Sequence, residues 1–181
     1  RGTAAGTNWP ADGNVDTNSF LGRLRTKTGL NFDLPTAAQW ERACRSGTTN
    51  AVTSGTELTD STADAGMDAV GRYLYNGGME YASTGTTAVG TAAVGSYAPS
   101  PWGLYDAHGN VWEWCLNWYE SAPADAVDPP GPATGIRRVL RSGAFFETAA
   151  DCRSANDRGN GLVPSYRDMN AGFRLALTLG Q

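Results

Sequence analysis

The fold of this chain is decided by residues 103–114, which are Gly-Leu-Tyr-Asp-Ala-His-Gly-Asn-Val-Trp-Glu-Trp. The Gly, Asp and Asn residues of the first part favour a tight turn. Tryptophans follow at positions 112, 114 and 118, and the residues between them alternate in polarity. The spacing predicts a turn that leads into a strand with one face in the core.

Two amphipathic helices are predicted before this segment. Asp16 can cap the first helix and Gly29 can end it. Thr36 caps the second, since Gln39 stands three residues later and completes a capping box, and Gly47 ends it. The apolar faces consist of Phe20, Leu21 and Leu24 in the first helix and of Trp40, Ala43 and Cys44 in the second.

Beyond the second helix the sequence predicts loops and short strands. Residues 48–95 are rich in Thr, Ser, Gly and Ala, and we expect Tyr73 and Tyr75 to be buried anchors among them. Residues 138–141 and 172–177 alternate and contain β-branched or aromatic residues, which predicts two strands. The irregular tract between these strands is where binding groups are expected, because rigid elements hold it on both sides.

Length and charge restrict the class of protein. The chain has 181 residues, enough for one domain with a single substantial core. The net charge is -4, and the only lysine among its fourteen basic residues is Lys27, so no basic stripe is available for nucleic acid. No apolar run approaches the roughly 20 residues that a membrane span requires.

Cysteine and histidine usage restricts the chemistry further. Cys44, Cys115 and Cys152 lack the paired spacing of a zinc or redox motif. Buried structural thiols are the favoured interpretation, and one disulfide plus a free thiol is the alternative. His108 is the only histidine, which excludes a site built on two or three imidazoles within this chain.

Five ordered phrases resemble the formylglycine-generating enzyme, or sulfatase-modifying factor, family. They are Thr28-Gly29-Leu30-Asn31-Phe32-Asp33-Leu34-Pro35-Thr36-Ala37-Ala38-Gln39-Trp40-Glu41, then residues 103–114, Arg141-Ser142-Gly143, Cys152-Arg153-Ser154-Ala155 and Gly172-Phe173-Arg174. The resemblance covers residues 28–177. It implies an α+β fold of the C-type lectin type: two helices beside a small twisted antiparallel sheet, with much irregular loop. In such a family dense tryptophan fits core packing better than a platform for sugars.

The resemblance also implies a single domain over residues 1–181. The family has a strand pair before the first helix, whereas only a short Gly/Thr/Ala-rich lead precedes Asp16 here. We therefore expect the chain to be trimmed, or a piece of a longer protein.

The enzymes of this family differ from this chain at the reactive positions. Their oxidases carry two cysteines soon after the Arg-x-Gly element and bind copper as thiolates. The corresponding residues 145–150 are Phe-Phe-Glu-Thr-Ala-Ala, without sulfur. The related iron-dependent sulfoxide synthases need several histidines. We therefore expect no enzymatic activity and no redox cofactor. The alternative is an oxidase, or a subunit of one, that uses residues supplied elsewhere.

The C-terminal region resembles the variable region of diversity-generating-retroelement target proteins, which use the same lectin-like fold. In these systems template adenines are randomised inside a fixed frame. The frame positions here are Arg138, Val139, Leu140, Arg141, Gly143, Cys152, Arg153, Ser154, Ala155, Arg158, Pro164, Arg167 and residues 172–176. The variable region is expected at about residues 138–177, and residues 144–170 form the predicted display surface.

The genetic code tests this resemblance. Randomising both adenines of an Asn codon cannot produce Lys, Gln, Glu, Met or Trp. The predicted ligand-binding residues are Phe145, Phe146, Glu147, Thr148, Asp157, Gly159, Asn160, Leu162, Val163, Ser165, Tyr166, Asp168, Met169 and Asn170. All are reachable except Glu147 and Met169.

Residues 144–170 contain large apolar side chains that lack the periodicity of a core helix or strand, which predicts a binding surface for a protein or glycan ligand. The alternative is that these side chains belong to the core beneath a long loop. Tyr166 is the strongest candidate for exposure, and Phe173 is expected to be structural. A calcium-dependent lectin is a further alternative, but the usual Glu-Pro-Asn type of motif is absent. The sequence does not determine the oligomeric state. Display on a cell surface or on a virion is compatible with it.

One loop is a candidate metal site. Asp106 and Glu113 bring two carboxylates into one tight loop, with backbone carbonyls between them, and calcium favours clusters of oxygen ligands. In the family that this chain resembles, the loop holds a structural Ca²⁺, which implies Asp106, Gly109, Val111 and Glu113 as ligands. The alternative is a hydrogen-bonded turn, in which Asp106 caps backbone amides and Glu113 pairs with an arginine.

Overall fold

The structure is a computed structural model that describes residues 14–77, 90–121, 127 and 129–177. Its elements are α1 (Phe20–Thr28), β1 (Phe32–Asp33), α2 (Ala37–Arg45), α3 (Ala65–Val70), β2 (Gly71–Arg72), β3 (His108–Gly109), β4 (Trp112–Trp118), β5 (Arg138–Arg141), β6 (Ala171–Gly172) and β7 (Ala176–Leu177). Two 3₁₀ turns span Leu74–Asn76 and Ala149–Cys152. The predicted α+β class is confirmed.

The strands form three small sheets rather than one antiparallel sheet. The largest has the order β5-β4-β6, in which β4 pairs antiparallel with β5 and parallel with β6. In the β4–β5 pair, Glu113 lies opposite Arg141 and Trp114 opposite Leu140, and the register shifts before Trp118. The β1–β7 pair is antiparallel and the β2–β3 pair is parallel. Strand β4 is therefore the central strand of the largest sheet.

Helix α2 begins as predicted, whereas α1 begins later. The Gln39 N–H donates to Thr36 Oγ1 over 3.1 Å and the Thr36 N–H donates to Gln39 Oε1, which closes the capping box. The cap of α1 is Ser19, whose Oγ accepts the Gly22 N–H. Asp16 instead accepts the Asn18 N–H in the preceding turn, so the prediction of Asp16 as the cap is wrong.

Helix α3 lies within the stretch that was predicted as loops and strands. The Asp64 carboxylate caps it by accepting the Met67 N–H, and Met67 and Val70 enter the core. A helix of six residues is too short to establish a visible period in the sequence. Tyr73 is buried as predicted, but Tyr75 is 54% exposed, so its expected role as an anchor is wrong.

The C-terminal strand is broken in two. Residues 173–175 separate β6 from β7, and Phe173 is 52% exposed. Its ring meets the exposed Phe20 edge-on, with centroids 5.6 Å apart. Phe173 is therefore not the core residue that the alternation predicted.

The core consists of three clusters of buried side chains. One contains Trp112 and Leu140, the second Trp40 and Cys115, and the third Met67 with the sulfur of Cys152. Trp112 is 2% exposed, which confirms core packing for this tryptophan. The three cysteines, Cys44 included, are buried and free, so the disulfide alternative is not realised. Among the described helices, none has the length and apolar character to cross a membrane.

Candidate ligand-binding surface and calcium loop

Part of the C-terminal frame lies inside the molecule, while Arg153, Ala155, Arg167, Phe173 and Leu175 of the same frame are exposed. Leu140 and Cys152 are fully buried, and Arg138 is 5% exposed with its guanidinium carbon 3.5 Å from the centre of the Trp118 ring. Gly143 adopts φ +82°, and a Cβ added there would lie 2.5 Å from the Cys152 sulfur. This part of the frame cannot accept new side chains without repacking.

A short turn next to β5 is fixed by backbone hydrogen bonds. The Arg158 N–H donates to the Leu140 carbonyl over 3.1 Å, and Arg138 and Leu162 exchange bonds of 2.7 and 3.0 Å. Gly161, at φ +56°, would place a Cβ 2.5 Å from the Arg138 carbonyl oxygen. The turn therefore requires glycine at 161, while its tip faces outward.

Most of the predicted ligand-binding residues do reach solvent. Gly159, Asn160, Val163, Ser165, Asp168 and Met169 are exposed, while Phe146, Glu147, Thr148, Asp157, Leu162 and Tyr166 are partly buried. Met169 is 72% exposed, so its side chain is available for apolar contact with a ligand. The display surface is thus a patch of mixed apolar and polar groups.

Two of the predicted ligand-binding residues are buried, and their prediction as displayed residues is wrong. Phe145 is 2% exposed because its N–H donates to the Asn110 carbonyl over 3.0 Å, which turns its ring inward. Asn170 is 1% exposed because its carbonyl accepts the Trp112 N–H over 2.7 Å at the start of the β4–β6 pair. These two residues are core residues beneath a loop, which was the alternative interpretation of the sequence.

Hydrogen bonds hold several partly buried residues of the display surface. Tyr166 donates its hydroxyl to Asp168 Oδ2 over 2.7 Å, which raises the pKa of Tyr166 and lowers that of Asp168. Glu147 accepts the Trp112 Nε1–H over 3.1 Å. Burial outweighs this bond and raises the pKa of Glu147. The bonds limit how far these side chains can move before a ligand arrives.

Arg158 is a surface feature that the sequence analysis did not include, since it was assigned to the fixed frame. Its guanidinium carbon lies 5.9 Å from the centre of the Trp112 ring and 5.6 Å from that of Tyr166. No sequence pattern indicates this contact, because Trp112 lies far from Arg158 along the chain and only the fold brings the two together.

The cysteines are in environments that disfavour the thiolate. Burial raises the pKa of Cys44 to about 12, and it raises the pKa values of Cys115 and Cys152 further above the ordinary range. These thiols are protonated at neutral pH, whereas copper ligation by cysteine requires the thiolate. Within the described residues, no three His, Cys, Asp or Glu side chains lie close enough to share a metal ion.

His108 is a structural histidine. Its Nδ1 lies 2.9 Å from the Cys152 carbonyl, so it carries the proton, and Nε2 then accepts the Thr53 N–H over 3.2 Å. Burial lowers the pKa of His108 to about 4. The imidazole is therefore neutral at physiological pH, and it connects the loop before β4 to the frame.

The candidate calcium loop has one unsatisfied oxygen. Asp106 Oδ2 accepts the Gly95 N–H over 2.7 Å, but Oδ1 is buried without a hydrogen-bond partner. Glu113 accepts Trp40 Nε1–H over 2.6 Å and two N–H groups of Arg174 over 2.9 Å each. Both parts of the hydrogen-bonded alternative are thus present. The orphaned Oδ1 is the feature that fits a cation, and Asp106 and Glu113 both line a cleft of about 630 Å³.

Comparisons with known proteins place this geometry in a family. Residues 5–179 match the Sulfatase-modifying factor enzyme 1-like domain. A formylglycine-generating enzyme from Thermomonospora curvata is 39% identical over 157 residues, covering 79% of this chain and 48% of that protein. The solved structure of Treponema denticola variable protein 1 is similar with a TM-score of 0.65 and 32% identity, covering 81% of this chain and 47% of the other.

A second solved structure, PvdO from Pseudomonas aeruginosa, has a TM-score of 0.67 and 26% identity, covering 88% of this chain and 57% of the other. The chain spans about half the length of the curated formylglycine-generating enzymes from Thermomonospora curvata and Streptomyces coelicolor that it matches. The matched residues include the helices, the tryptophan strand and the C-terminal frame described above. The chain belongs to the sulfatase-modifying factor enzyme 1-like family and has the formylglycine-generating-enzyme type of C-type lectin fold.

Proposed function

We propose that this chain is a non-enzymatic ligand-binding protein, the variable target protein of a diversity-generating retroelement. The display surface carries the diversified side chains, and the helices and sheets hold it in place. Its ligand is a protein or a glycan. Because the backbone is fixed by the scaffold, little conformational entropy is lost on binding.

The observation that carries the proposal is the separation between frame and display positions. Leu140, Cys152 and Ser154 of the frame are fully buried, whereas Gly159, Ser165 and the other exposed display positions lie between them and β6. Arg153, Ala155 and Arg167 are frame residues that also reach the surface. A protein with this separation can change its contact residues without changing its core.

Two further findings support the proposal. The structural likeness to variable protein 1 of Treponema denticola extends over 81% of this chain. Residues 145–150 correspond to the cysteine-bearing part of the family's oxidases but contain no sulfur. In this stretch Glu147 has a structural contact, since its carboxylate accepts the Trp112 Nε1–H.

We further propose that Ca²⁺ binds the loop through Asp106, Gly109, Val111 and Glu113. The support is Asp106 Oδ1, which is buried without a partner and would otherwise cost stability. The ion would fix the turn that precedes β4. It would have a structural role and would supply no chemistry at the display surface.

The proposal of diversification is tested by sequencing the DNA around the gene. We expect a reverse transcriptase gene and a near-copy of the DNA for residues 138–177 that differs from the gene only opposite template adenines. In isolates of the same host, differences should accumulate at exposed positions such as Gly159 and Ser165, but not at Gly161. A genome without the near-copy would contradict diversification.

A second candidate function is a formylglycine-generating-type oxidase that uses residues supplied elsewhere. The 39% identity to the enzyme from Thermomonospora curvata favours it. The test is copper retention after gel filtration, together with turnover of a cysteine-containing sulfatase peptide. Retained copper with peptide oxidation would establish the oxidase, whereas we expect neither, because the available thiols are buried and protonated.

A further inference from the structure

The backbone of Arg158 is held in a fixed position on the display surface. Its backbone N–H donates to the Leu140 carbonyl of β5, and its carbonyl accepts the Gly161 N–H, both over 3.1 Å. Residue 158 is thus anchored to the sheet on one side and to the turn tip on the other. The position is set by the scaffold and does not depend on which residues occupy 159 and 160.

Two aromatic rings flank the guanidinium of Arg158. The guanidinium carbon lies 5.9 Å from the centre of Trp112 and 5.6 Å from the centre of Tyr166, within the range of cation–π attraction. Both rings are themselves fixed, since Trp112 donates to Glu147 and Tyr166 donates to Asp168. The arginine is therefore restrained before any ligand binds, which lowers the entropy lost on complex formation.

The hydrogen-bonding capacity of Arg158 remains unused. Among the described residues, its guanidinium forms neither a hydrogen bond nor an ion pair, although the side chain is partly buried. Arg25, Arg45 and Arg174, which are also partly buried, each pair with a carboxylate. A planar group with free N–H donors, restrained between two rings, is complementary to an acceptor with two coplanar oxygens.

The charges around Arg158 select the kind of anion. Glu147, whose pKa is raised by burial, and Asp168, whose pKa is lowered by the Tyr166 hydroxyl, both lie near the positive charge of Arg158, yet neither forms an ion pair with it. Their negative charges repel a dianionic phosphate more strongly than a singly charged carboxylate. Val163 and Met169 are exposed apolar side chains of the same display surface, which suits contact with a protein ligand.

We infer that Arg158 is a fixed anchor of the display surface, and that it binds a carboxylate of an Asp or Glu side chain on a protein ligand through two parallel hydrogen bonds. This inference rests on the proposed recognition function and assigns it a ligand class. In this arrangement Arg158 supplies a constant contact, and the residues around it supply the specificity. A frame residue then contributes to binding as well as to the scaffold.

The test is a titration followed by the NMR signals of arginine Nε–H groups in the whole chain labelled with ¹⁵N. The probes are N-acetyl-Gly-Glu-Gly-amide, the matched peptide with Gln in place of Glu, and methyl phosphate. Exposed Arg167 is the internal control. We expect the Glu peptide to half-saturate Arg158 at a concentration about tenfold lower than Arg167, the effect of one good charge-assisted bidentate contact.

Matched variants complete the test. Arg158→Lys keeps the charge but loses the planar fork and the Nε–H probe, so peptide binding to this variant is followed at the backbone amide of Gly161, which bonds to the carbonyl of residue 158. The selective shift of that amide should vanish in Arg158→Lys, whereas Arg167→Lys should leave the Arg158 response unchanged. Equal responses of Arg158 and Arg167, or an equal effect of the Gln peptide, would overturn the inference, as would tighter binding of methyl phosphate than of the Glu peptide. The outcome is independent of the genomic test: a missing near-copy leaves the anchor intact, and a failed titration leaves diversification intact.

Discussion

Replacing Phe145 and Met169 by alanine separates core from display most clearly, because both were expected at the surface. Phe145 is 2% exposed and its ring meets Phe146 edge-on at 5.1 Å. Truncation of such a buried phenylalanine costs about 3–5 kcal/mol. Met169 is 72% exposed, and a change at such a position stays within about 0.5 kcal/mol.

The assay is urea unfolding followed by tryptophan fluorescence, with a thermal melt as a second measure. For a domain of this size, each kcal/mol moves the melting temperature by roughly 2–4 °C. Phe145→Ala should therefore melt on the order of 10 °C below the parent chain. Met169→Ala should match the parent. If both variants lost less than about 1 kcal/mol, the burial of Phe145 and the inward path of the chain at Asn110 would be refuted.

Three further predictions concern the interior and the calcium loop. Burial lowers the pKa of His108 from 6.5 to about 4, so the unfolded chain takes up the proton first. The free energy of unfolding should then fall by about 3 kcal/mol as pH drops from 6.5 to 4, and urea unfolding of His108→Gln should lack this slope. In calcium-free buffer, Arg174→Met leaves the Glu113 carboxylate without a counterion and should cost about 3 kcal/mol in urea unfolding, part of which Glu113→Gln restores. Calcium at 100 times its Kd should add about 3 kcal/mol relative to EDTA, an effect absent in Asp106→Asn, and equal melts in both buffers would refute the ion.

Local signals made part of the fold predictable from the sequence. The capping box of Thr36 and Gln39 fixes the start of α2, because both of its bonds lie within four residues. Strand β5 was also predicted, although its first three residues are all buried and do not alternate. Helix α3 escaped prediction because six residues hold too little periodicity, and its capping by Asp64 is visible only once the following residues are known to be helical.

The candidate site was harder to predict, because its directions are set by contacts between distant segments. Phe145 and Phe146 are adjacent and chemically alike, yet the bond from the Phe145 N–H to the Asn110 carbonyl turns only Phe145 into the core. Asn170 is buried by its bond to the Trp112 N–H. No periodicity within residues 144–170 carries this information.

A scan of all single substitutions at residues 138–177 tests the central claim directly. The variants are displayed on a cell surface, and their resistance to protease reports which of them fold. We predict that Gly159, Ser165, Asp168 and Met169 accept most residues, whereas Asn160, at φ +66°, should prefer Asn, Asp and Gly. Gly143, Phe145, Cys152, Gly161 and Asn170 should accept almost none, because they are buried or lack space for a new side chain. Equal tolerance in the two groups, or greater tolerance in the second, would contradict the division between scaffold and display.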